Sequence, residues 1–374
     1  MKFTCTRENL NHALELVSPL AGKQGSLPIL ENILIYAAES HLELSSTNLE
    51  TAIKTTIRAR VDESGTFTVP AKTLADYVRL LNDEQVEIQL EENELVVKCG
   101  SSKTKIKGSQ AEDYPVLPEL AEGSSYSLPV ETFRNALSKV VVAVAKNEIR
   151  PELSGVFIQI KGERYDGLVM AATDSYRLAE VRVPVEQGEE SVKCIIPARV
   201  AYEIIRLLGS ALKIKEEKAV RLWVSENQIG IRYDSFELTG RLITGNYPDY
   251  TQIIPAQFKT NANFPVSLMV NKIKAASLFT TVGVNAVSFD LNVSEKSISV
   301  SSTSTQTGEH SSQIEAEING EENSILLNHR YVLDGLNHLE TEQAEIGVNS
   351  ADTPCMIRPN GSDTYLYIVM PIRQ

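Results

Sequence analysis

Residues 69–90, VPAKTLADYVRLLNDEQVEIQL, contain a short strand, a turn with proline, a short helix that ends in leucines, and a second strand. The same order recurs in IPARVAYEIIRLLGSALKIKEEKAVRLWV, residues 196–224, and in LLNHRYVLDGLNHLETEQAEIGV, residues 326–348. A pattern that returns three times predicts three copies of one structural unit.

A second helical pattern precedes each of these stretches. It is amphipathic, follows a short strand, and occupies residues 6–18, 129–144 and 267–282. The copies are about 120–140 residues apart, the size of one domain. At the second helix of each copy, equivalent places are held by Pro70, Pro197 and Asn328. Proline suits a helix start, because the N–H that it lacks has no partner within the helix.

Alternating, β-rich runs separate the helices, and turns lie between these runs. The pattern predicts an α+β fold of three domains, with bounds 1–122, 123–255 and 256–374. Three such copies form either a closed ring or an open tandem array, and the pattern alone is compatible with both.

The composition is that of a globular protein, with 42% hydrophobic and 23% charged residues among 374. No run reaches the roughly 18 apolar residues of a membrane span, and residues 1–10 contain no apolar signal core. The four cysteines are scattered without a CxxC pair. We therefore expect a cytoplasmic protein with reduced thiols, without a membrane partner, a metal or another cofactor.

The formal net charge of −13 argues against tight, indiscriminate DNA binding. Its simplest interpretation is solubility. A local basic surface remains compatible with this total.

Seven short stretches resemble signatures of the bacterial DNA polymerase III β subunits, the β sliding clamp family. They are MKFTCTRENL (1–10), LPILENILI (27–35), TVPAKTL (68–74), DYP (113–115), ATDSYRLA (172–179), YPDYTQIIP (247–255) and YIVMPIR (367–373). They occur in the family's order along the whole chain.

The resemblance implies a head-to-tail homodimer of three-domain subunits, closed into a six-domain ring. Each domain would have two helices and two antiparallel sheets, with the helices around the hole. Duplex DNA would pass through the hole and be held topologically, without sequence specificity. A clamp loader would open the ring, and the replicative polymerase and other proteins would bind a pocket through a motif of the type Gln-Leu-x-Leu-Phe.

The family's pocket lies between the second and third domains. Carried over to this sequence, its second-domain part is Leu153, Thr173, Ser175, Tyr176, Arg177, Leu178, Pro248 and Ile253. Its third-domain part is Asn328, Tyr331, Ile368, Val369, Met370, Pro371, Ile372 and Arg373, with Arg177 and Arg373 at its flanks. The thioether of Met370 suits a pocket that accepts varied partners.

Several positions depart from the family pattern. Thr251 and Gln252 stand where well-known members have two arginines, and Ser175 and Tyr176 replace a Gly-His pair. Val284, Asp352 and Pro354 also differ. We expect these changes to alter the shape of the pocket and its preferred peptide.

The resemblance also assigns DNA contacts. The candidates are Lys23, Gln24, Lys72, Arg79, Lys139, Lys146, Asn147, Arg150, Arg199, Arg206 and Lys274. The alternative is that these helices merely have basic, solvated faces.

The subunit interface would join Lys103, Thr104 and Lys105 of one chain to Leu278 and Phe279 of the other. Glutamates near the second group, at positions 309, 315 and 317, would complement the lysines. Lysines on an edge strand are also a common way to prevent strand pairing.

Other interpretations remain open. The apolar stretch 365–372 is also typical of an edge strand tied into a sheet, and ATDS is typical of a turn in which Asp bonds its own backbone. Thr173, Asp174 and Ser175 suggest a hydrolase, but GxSxG, P-loop, GxGxxG and HExxH motifs are absent from the sequence. We therefore predict no catalytic residue. A β-rich scaffold unrelated to DNA is the third possibility.

Overall fold

The computed structural model describes residues 1–21, 27–119, 123–146, 149–188, 190–211 and 219–373. The helices in these residues are α1 Arg7–Val17, α2 Ala71–Arg79, α3 Val130–Val141, α4 Ala198–Ala211, α5 Val266–Ser277 and α6 His329–Leu336. None of them has both the length and the apolar character that crossing a membrane requires.

Twenty-six strands accompany the helices in the described part of the chain. The first nine are β1 Lys2–Thr6, β2 Asn32–Ala38, β3 His41–Thr47, β4 Thr51–Arg58, β5 Arg60–Glu63, β6 Gly65–Pro70, β7 Gln85–Glu91, β8 Glu94–Cys99 and β9 Ser102–Lys107. The next eight are β10 Ser124–Pro129, β11 Gly155–Gly162, β12 Tyr165–Thr173, β13 Arg177–Val183, β14 Val192–Pro197, β15 Ala219–Val224, β16 Gln228–Tyr233 and β17 Phe236–Arg241. The last nine are β18 Thr260–Pro265, β19 Ala286–Asn292, β20 Ser297–Ser304, β21 Gly308–Glu315, β22 Glu317–Gly320, β23 Asn323–Asn328, β24 Gln343–Val348, β25 Cys355–Pro359 and β26 Tyr365–Val369.

The helix starts predicted from sequence are confirmed. Helices α2 and α4 begin directly after Pro70 and Pro197, each of which is the last residue of a strand. Proline's fixed φ is compatible with both the strand and the first helical turn. At α6 the side chain of Asn328 caps the helix by accepting the N–H of Arg330 at 3.0 Å.

The first compact unit comprises Met1–Arg134, Val185–Glu189 and Arg199–Leu242. It holds a five-stranded sheet, β5-β1-β7-β8-β9, and an eight-stranded sheet, β10-β15-β16-β17-β4-β3-β2-β6. Helices α1 and α2 pack together, and α1 also packs on β3 and β4. Leu10, Leu14, Leu74 and Val78 are fully buried, which stabilises the fold by about 1.5–3 kcal/mol each.

The second compact unit comprises Asn135–Pro184, Glu190–Ala198 and Ile243–Gln374. It holds a nine-stranded sheet, β14-β11-β12-β13-β26-β25-β24-β18-β22, and a four-stranded sheet, β21-β20-β19-β23. Helices α5 and α6 pack together and lie on strands of these sheets. Strand β26 lies between β13 and β25, so the interpretation of residues 365–372 as an edge strand is wrong for the paired residues.

Strand pairing joins neighbouring copies of the repeat. β4 of the first copy pairs with β17 of the second, and β13 of the second pairs with β26 of the third. All these pairings are antiparallel, as the predicted α+β class requires. Each compact unit therefore combines strands of two copies, because the last strand of one copy completes the sheet of the copy before it.

Candidate partner-binding site

A tight turn, Thr173–Arg177, connects β12 to β13 and forms one side of the site. The Thr173 hydroxyl donates to the carbonyl of Arg177 at 2.6 Å and accepts the N–H of Ser175 at 3.1 Å. One carboxylate oxygen of Asp174 accepts the N–H groups of Tyr176 and Arg177, both at 3.0 Å. These bonds hold Ser175 at a φ of 76°, a left-handed conformation that side chains disfavour. The interpretation of ATDS as such a turn is confirmed.

Arg177 lies at the centre of the site and is only 5% exposed. Its guanidinium donates to Asp174 at 3.1 Å, to Asp334 of α6, and to the hydroxyl of Tyr367 of β26 at 3.3 Å. It also lies 4.5 Å from the centre of the Tyr331 ring. Arginine suits this place, because its planar fork can donate in several directions and stack on a ring.

The charge of Arg177 is fixed by these neighbours. Burial acts to lower its pKa, but Tyr367, Asp334 and Asp174 together raise the pKa above its ordinary value. For the neutral acid Tyr367, burial has the opposite effect and raises the pKa, so its hydroxyl stays protonated. Sequence reasoning expected Arg177 at a flank, whereas the structure buries it, since a carboxylate from α6 and one from the turn compensate its charge.

The apolar stretch that follows β26 lies beside the same turn. In the strand pair, Arg177 opposes Val369 and Leu178 opposes Ile368. Beyond the strand, the N–H of Met370 donates to the carbonyl of Tyr176 at 2.8 Å, and the N–H of Ile372 donates to Leu326 at 2.8 Å. Residues 370–372 are therefore held in an extended form with half-buried side chains.

Apart from Arg177, Asn328 and Tyr331, the predicted pocket residues divide into a buried floor and an accessible rim. Leu178 and Ile368 are fully buried in one cluster with Ala171, Tyr250 and Met356. Leu153, Thr173 and Val369 are also buried. The accessible members are Ser175, Tyr176, Pro248, Ile253, Met370, Pro371, Ile372 and Arg373. A ligand can touch the second group, while the first fixes the shape beneath it.

Aromatic residues that were not predicted support the floor. The hydroxyl of Tyr247 accepts the N–H of Thr173 at 3.0 Å, and its ring stacks on Phe157 at 5.1 Å between centres. The hydroxyl of Tyr250 donates to the buried Glu180 at 2.7 Å. The Tyr-Pro that the first two copies share was the available signal for Tyr247, and no sequence signal pointed to Glu180 or Asp334.

Thr251 and Gln252, which replace two arginines of the family pattern, form side-chain hydrogen bonds within their own turn. The Thr251 hydroxyl donates to Asp249 at 2.7 Å and the Gln252 amide donates to it at 3.0 Å. These two side-chain bonds, with one from the backbone of Thr251, lower the pKa of Asp249. The pair therefore stabilises a short turn and adds no positive charge to the rim.

A cavity of about 440 Å³ adjoins this network. Its lining includes the predicted Tyr176, Arg177, Asn328 and Tyr331, and also the Lys146 predicted as a DNA contact. The other lining residues, which were not among the predicted pocket residues, are Ala145, Asp174, Asn285, Arg330 and Asp334. Of these, Arg330 is exposed and brings a second positive charge beside Lys146.

The predicted DNA contacts occupy different environments. Lys72, Arg79 and Lys274 are exposed on helices α2 and α5. Lys139 and Arg150 form ion pairs with Glu340 at 2.9 Å and Glu152 at 3.0 Å. Lys23, Gln24 and Asn147 lie outside the described residues.

The last two predicted DNA contacts, Arg199 and Arg206, also form ion pairs within the protein. Arg199 lies 2.7 Å from Glu50. Arg206 binds Glu203 at 2.8 Å and the backbone carbonyls of Glu15 and Leu16 at 3.0 and 2.7 Å. Arg206 therefore joins α4 to the end of α1, and these bonds occupy much of its donor capacity.

The predicted interface residues lie on one sheet edge and beside another. Lys103, Thr104 and Lys105 belong to β9, the last strand of the five-stranded sheet, where Lys105 binds Glu91 at 3.0 Å. Leu278 directly follows α5 and is 70% exposed. The ring of Phe279 stacks on His310 of β21, which is the last strand of its own sheet, at 5.7 Å between centres.

The described residues give little support to a metal site, a reactive cysteine or a hydrolase. No group of three or more His, Cys, Asp or Glu side chains suits a metal ion in that part of the chain. Burial raises the pKa of the Cys355 thiol to about 12, so it is not a reactive thiolate at neutral pH. Asp174, the carboxylate of the Thr-Asp-Ser stretch, is bound to its own turn and to Arg177.

Comparison with known proteins identifies relatives along the whole chain. Three family models match, described as the N-terminal, central and C-terminal domains of the DNA polymerase III beta subunit, at residues 1–118, 127–249 and 251–373. The beta sliding clamp of Synechococcus elongatus is 29% identical over 100% of this chain and 99% of its own. That of Haemophilus influenzae is 26% identical over the full length of both.

Solved structures are similar in fold. The DNA polymerase sliding clamp of Bacillus subtilis superposes with a TM-score of 0.93 at 26% identity, covering 100% of this chain and 99% of the other. A sliding clamp from Pseudomonas aeruginosa, bound to griselimycin, superposes with a TM-score of 0.93 at 25% identity and full coverage of both chains.

Proposed function

Because the chain belongs to the DNA polymerase III beta subunit family, we propose that it acts as a DNA sliding clamp, a ring-shaped processivity factor. The ring encircles duplex DNA and tethers the replicative polymerase and other partners. One structural observation carries the tethering role: the segment Met370–Ile372 is fixed beside the turn Thr173–Arg177, with apolar side chains accessible at the rim.

The partner in this proposal is a short linear peptide of the type Gln-Leu-x-Leu-Phe. Met370, Pro371 and Ile253 supply apolar surface for its leucine and phenylalanine side chains. The polar cavity beside Arg177, with Asn328 in its wall, supplies donors and acceptors for the glutamine. The same rim serves a clamp loader in turn, since one flexible Met-containing surface accepts related peptides.

The ring consists of two chains joined head to tail, with three domains in each, at 1–122, 123–255 and 256–374. The proposed interface pairs the β9 edge of one chain with the β21 edge of the other. Lysines on β9 face glutamates on and near β21, and Leu278 supplies exposed apolar surface. Opposite charges across paired edges favour this register over a contact between like edges.

DNA is held topologically and without sequence specificity. The net charge of −13 agrees with weak contact, because each direct phosphate contact adds salt-dependent affinity that would slow sliding. The exposed Lys72, Arg79 and Lys274 are the strongest candidates among the described residues. Lys23, Gln24 and Asn147 remain candidates by resemblance alone.

The protein in this proposal is not an enzyme and needs no cofactor. The family resemblance supports this view, and the engagement of Asp174 by its own turn agrees with it. It acts in the cytoplasm, where bacterial DNA is replicated.

The test is retention on circular DNA. The protein is loaded onto a nicked plasmid with its clamp loader, and the complex is followed by gel filtration before and after the plasmid is linearised. We expect retention on the circle and loss from the linear form. A Leu278→Ala, Phe279→Ala variant, which opens the proposed interface, should be retained on neither. Equal retention on both forms would show direct DNA binding and reject the sliding clamp.

A further inference from the structure

The turn at the candidate site has a close counterpart in the first copy. In the turn Thr47–Thr51, the Thr47 hydroxyl donates to the carbonyl of Thr51 at 2.9 Å and accepts the N–H of Leu49 at 3.0 Å. Asn48 accepts the N–H groups of Glu50 and Thr51 at 3.1 and 2.8 Å, as Asp174 does in its turn. Leu49 has a φ of 74°, against 76° at Ser175.

The strand beside this turn repeats the same contact. In the pairing of β4 with β17, Thr51 opposes Gly240, as Arg177 opposes Val369. The N–H of Arg241 then donates to the carbonyl of Glu50 at 2.8 Å, the same contact and length as from Met370 to Tyr176. Arg241 therefore occupies the place that Met370 has at the candidate site.

A cavity of about 350 Å³ lies at this position, within the first compact unit. One wall is apolar, with Leu49 56% and Val116 97% exposed, and with Leu117 and Pro118 beside them. The opposite wall is polar and includes Gln228 and Arg241, which face each other across the pair β16–β17.

Two polar groups in this wall lack partners in the described residues. The side-chain carbonyl of Gln228 is buried and accepts no hydrogen bond there. Arg241 is exposed and forms no ion pair with any described carboxylate, since the neighbouring Glu50 is bound by Arg199 at 2.7 Å. A ligand that pairs with Arg241 must offer a negative charge, and one that also satisfies Gln228 must offer an N–H donor to which that side chain turns.

We propose that this cavity, lined by Leu49, Val116, Leu117, Gln228 and Arg241, is a second docking site for a partner peptide. The occupant is an extended segment with an acidic residue between aliphatic ones. Its carboxylate pairs with Arg241, its aliphatic side chains cover Leu49 and Val116, and the side chain of Gln228 turns toward the cavity to accept a backbone N–H. The assignment of a peptide as the occupant rests on the proposed function, because the counterpart surface is the proposed peptide pocket. The replacement of Met370 by Arg241 gives the two sites different preferences.

The probe is the blocked pentapeptide Ala-Leu-Asp-Leu-Ala, with Ala-Leu-Asn-Leu-Ala as its uncharged match. Methyl-labelled full-length protein is titrated and followed by NMR, with Leu49, Val116 and Leu117 as reporters. We expect saturable shifts of these methyl groups with the Asp peptide. Affinity should fall about tenfold with the Asn peptide and in Arg241→Gln, as for the loss of one charged contact.

Arg221→Gln is the matched control, since Arg221 is another exposed arginine of the same sheet, and it should bind like the unaltered protein. Absence of shifts at the three reporters, or equal affinity in Arg241→Gln, would overturn the second site. A Gln-Leu-x-Leu-Phe peptide in a parallel titration reports on the methyl groups of Met370 and Ile372. If this peptide binds and the Asp peptide does not, only the second site is rejected. If neither peptide binds, the proposed pocket is rejected as well.

Discussion

The turns Thr47–Thr51 and Thr173–Arg177 have the same backbone and different side chains. Each is closed by a threonine hydroxyl and by an Asn or Asp side chain, and each has a residue with positive φ. At the last position the first turn has Thr51 and the second has Arg177. Only the second can reach a carboxylate on α6 and a hydroxyl on β26. The repeat therefore supplies one backbone arrangement twice, and substitutions such as Thr51 against Arg177 give the two proposed sites different side chains.

The helix that each turn meets belongs to the next copy, α4 for the first turn and α6 for the second, and these helices show the same divergence. Arg199 and Glu203 of α4 occupy the places of Arg330 and Asp334 in α6. Glu203 binds Arg206 of its own helix at 2.8 Å, whereas Asp334 binds Arg177. Without an arginine in the first turn, the acidic residue of α4 finds a partner within its own helix.

The largest difference in stability between the two turns should appear when Arg177 is replaced. In Arg177→Ala, Asp174 loses its buried cation and the link from the turn to α6 and β26 is gone. We expect the free energy of unfolding to fall by about 3 kcal/mol, toward the lower end for a buried charge pair because Asp334 is 44% exposed. Denaturant titration followed by circular dichroism measures this loss.

Thr51→Ala is the control at the equivalent place and should cost about 1 kcal/mol. Equal losses in the two variants would mean that the Arg177 network adds nothing to the common turn.

The segment after β26 should matter for peptide binding more than its counterpart at the end of β17. Met370→Ala with Pro371→Ala removes apolar surface from the rim, and we expect affinity for a fluorescent Gln-Leu-x-Leu-Phe peptide to fall about 100-fold. Arg241→Ala should leave that affinity unchanged. Fluorescence anisotropy measures both, and an equal effect of the two changes would place this peptide outside the proposed pocket.

Removing the acceptor side chain of each turn, Asn48 or Asp174, should give a smaller difference in stability between the turns. Asn48→Ala removes two hydrogen bonds to backbone N–H groups and should cost about 1 kcal/mol. Asp174→Ala removes two such bonds and also a partner of Arg177, so we expect about 2 kcal/mol. Thermal unfolding by calorimetry compares them, and a larger loss at Asn48 would contradict the special role of the second turn.

The smallest effect should come from the residues with positive φ. Glycine adopts this conformation without strain, so Ser175→Gly should raise the free energy of unfolding by about 0.5 kcal/mol, after its greater freedom in the unfolded chain is counted. Leu49→Gly should gain less, because it also removes apolar contact. Ser175→Val serves as the opposite control and should destabilise, and a gain in that variant would show that φ is not the cause.

Much of the architecture was accessible from the sequence, because it depends on local patterns. Pro70, Pro197 and Asn328 marked three helix starts, and the structure confirms them. The α+β class and the threefold repeat followed from alternating and helical periodicities, whose apolar faces must be buried wherever they occur. The pocket residues were accessible only through resemblance to a family.

The sequence could not give the partners of those residues. Arg177 is 157 residues from Asp334 and 190 from Tyr367, and no spacing rule relates groups so far apart. The position of β26 between β13 and β25 was likewise beyond the pattern, because an alternating strand reads the same at an edge and in the interior.

The sequence by itself determined where helices and turns form and that three copies exist, since hydrogen bonds and apolar periodicity act within a few residues. Tertiary structure alone decided that Leu178 and Ile368 form a buried floor while Met370 and Pro371 stay accessible. It also decided that Arg206 binds the end of α1 and that Lys146 and Tyr331 line the same cavity. Burial and ion pairing depend on which distant segments meet, and that is a property of the folded chain.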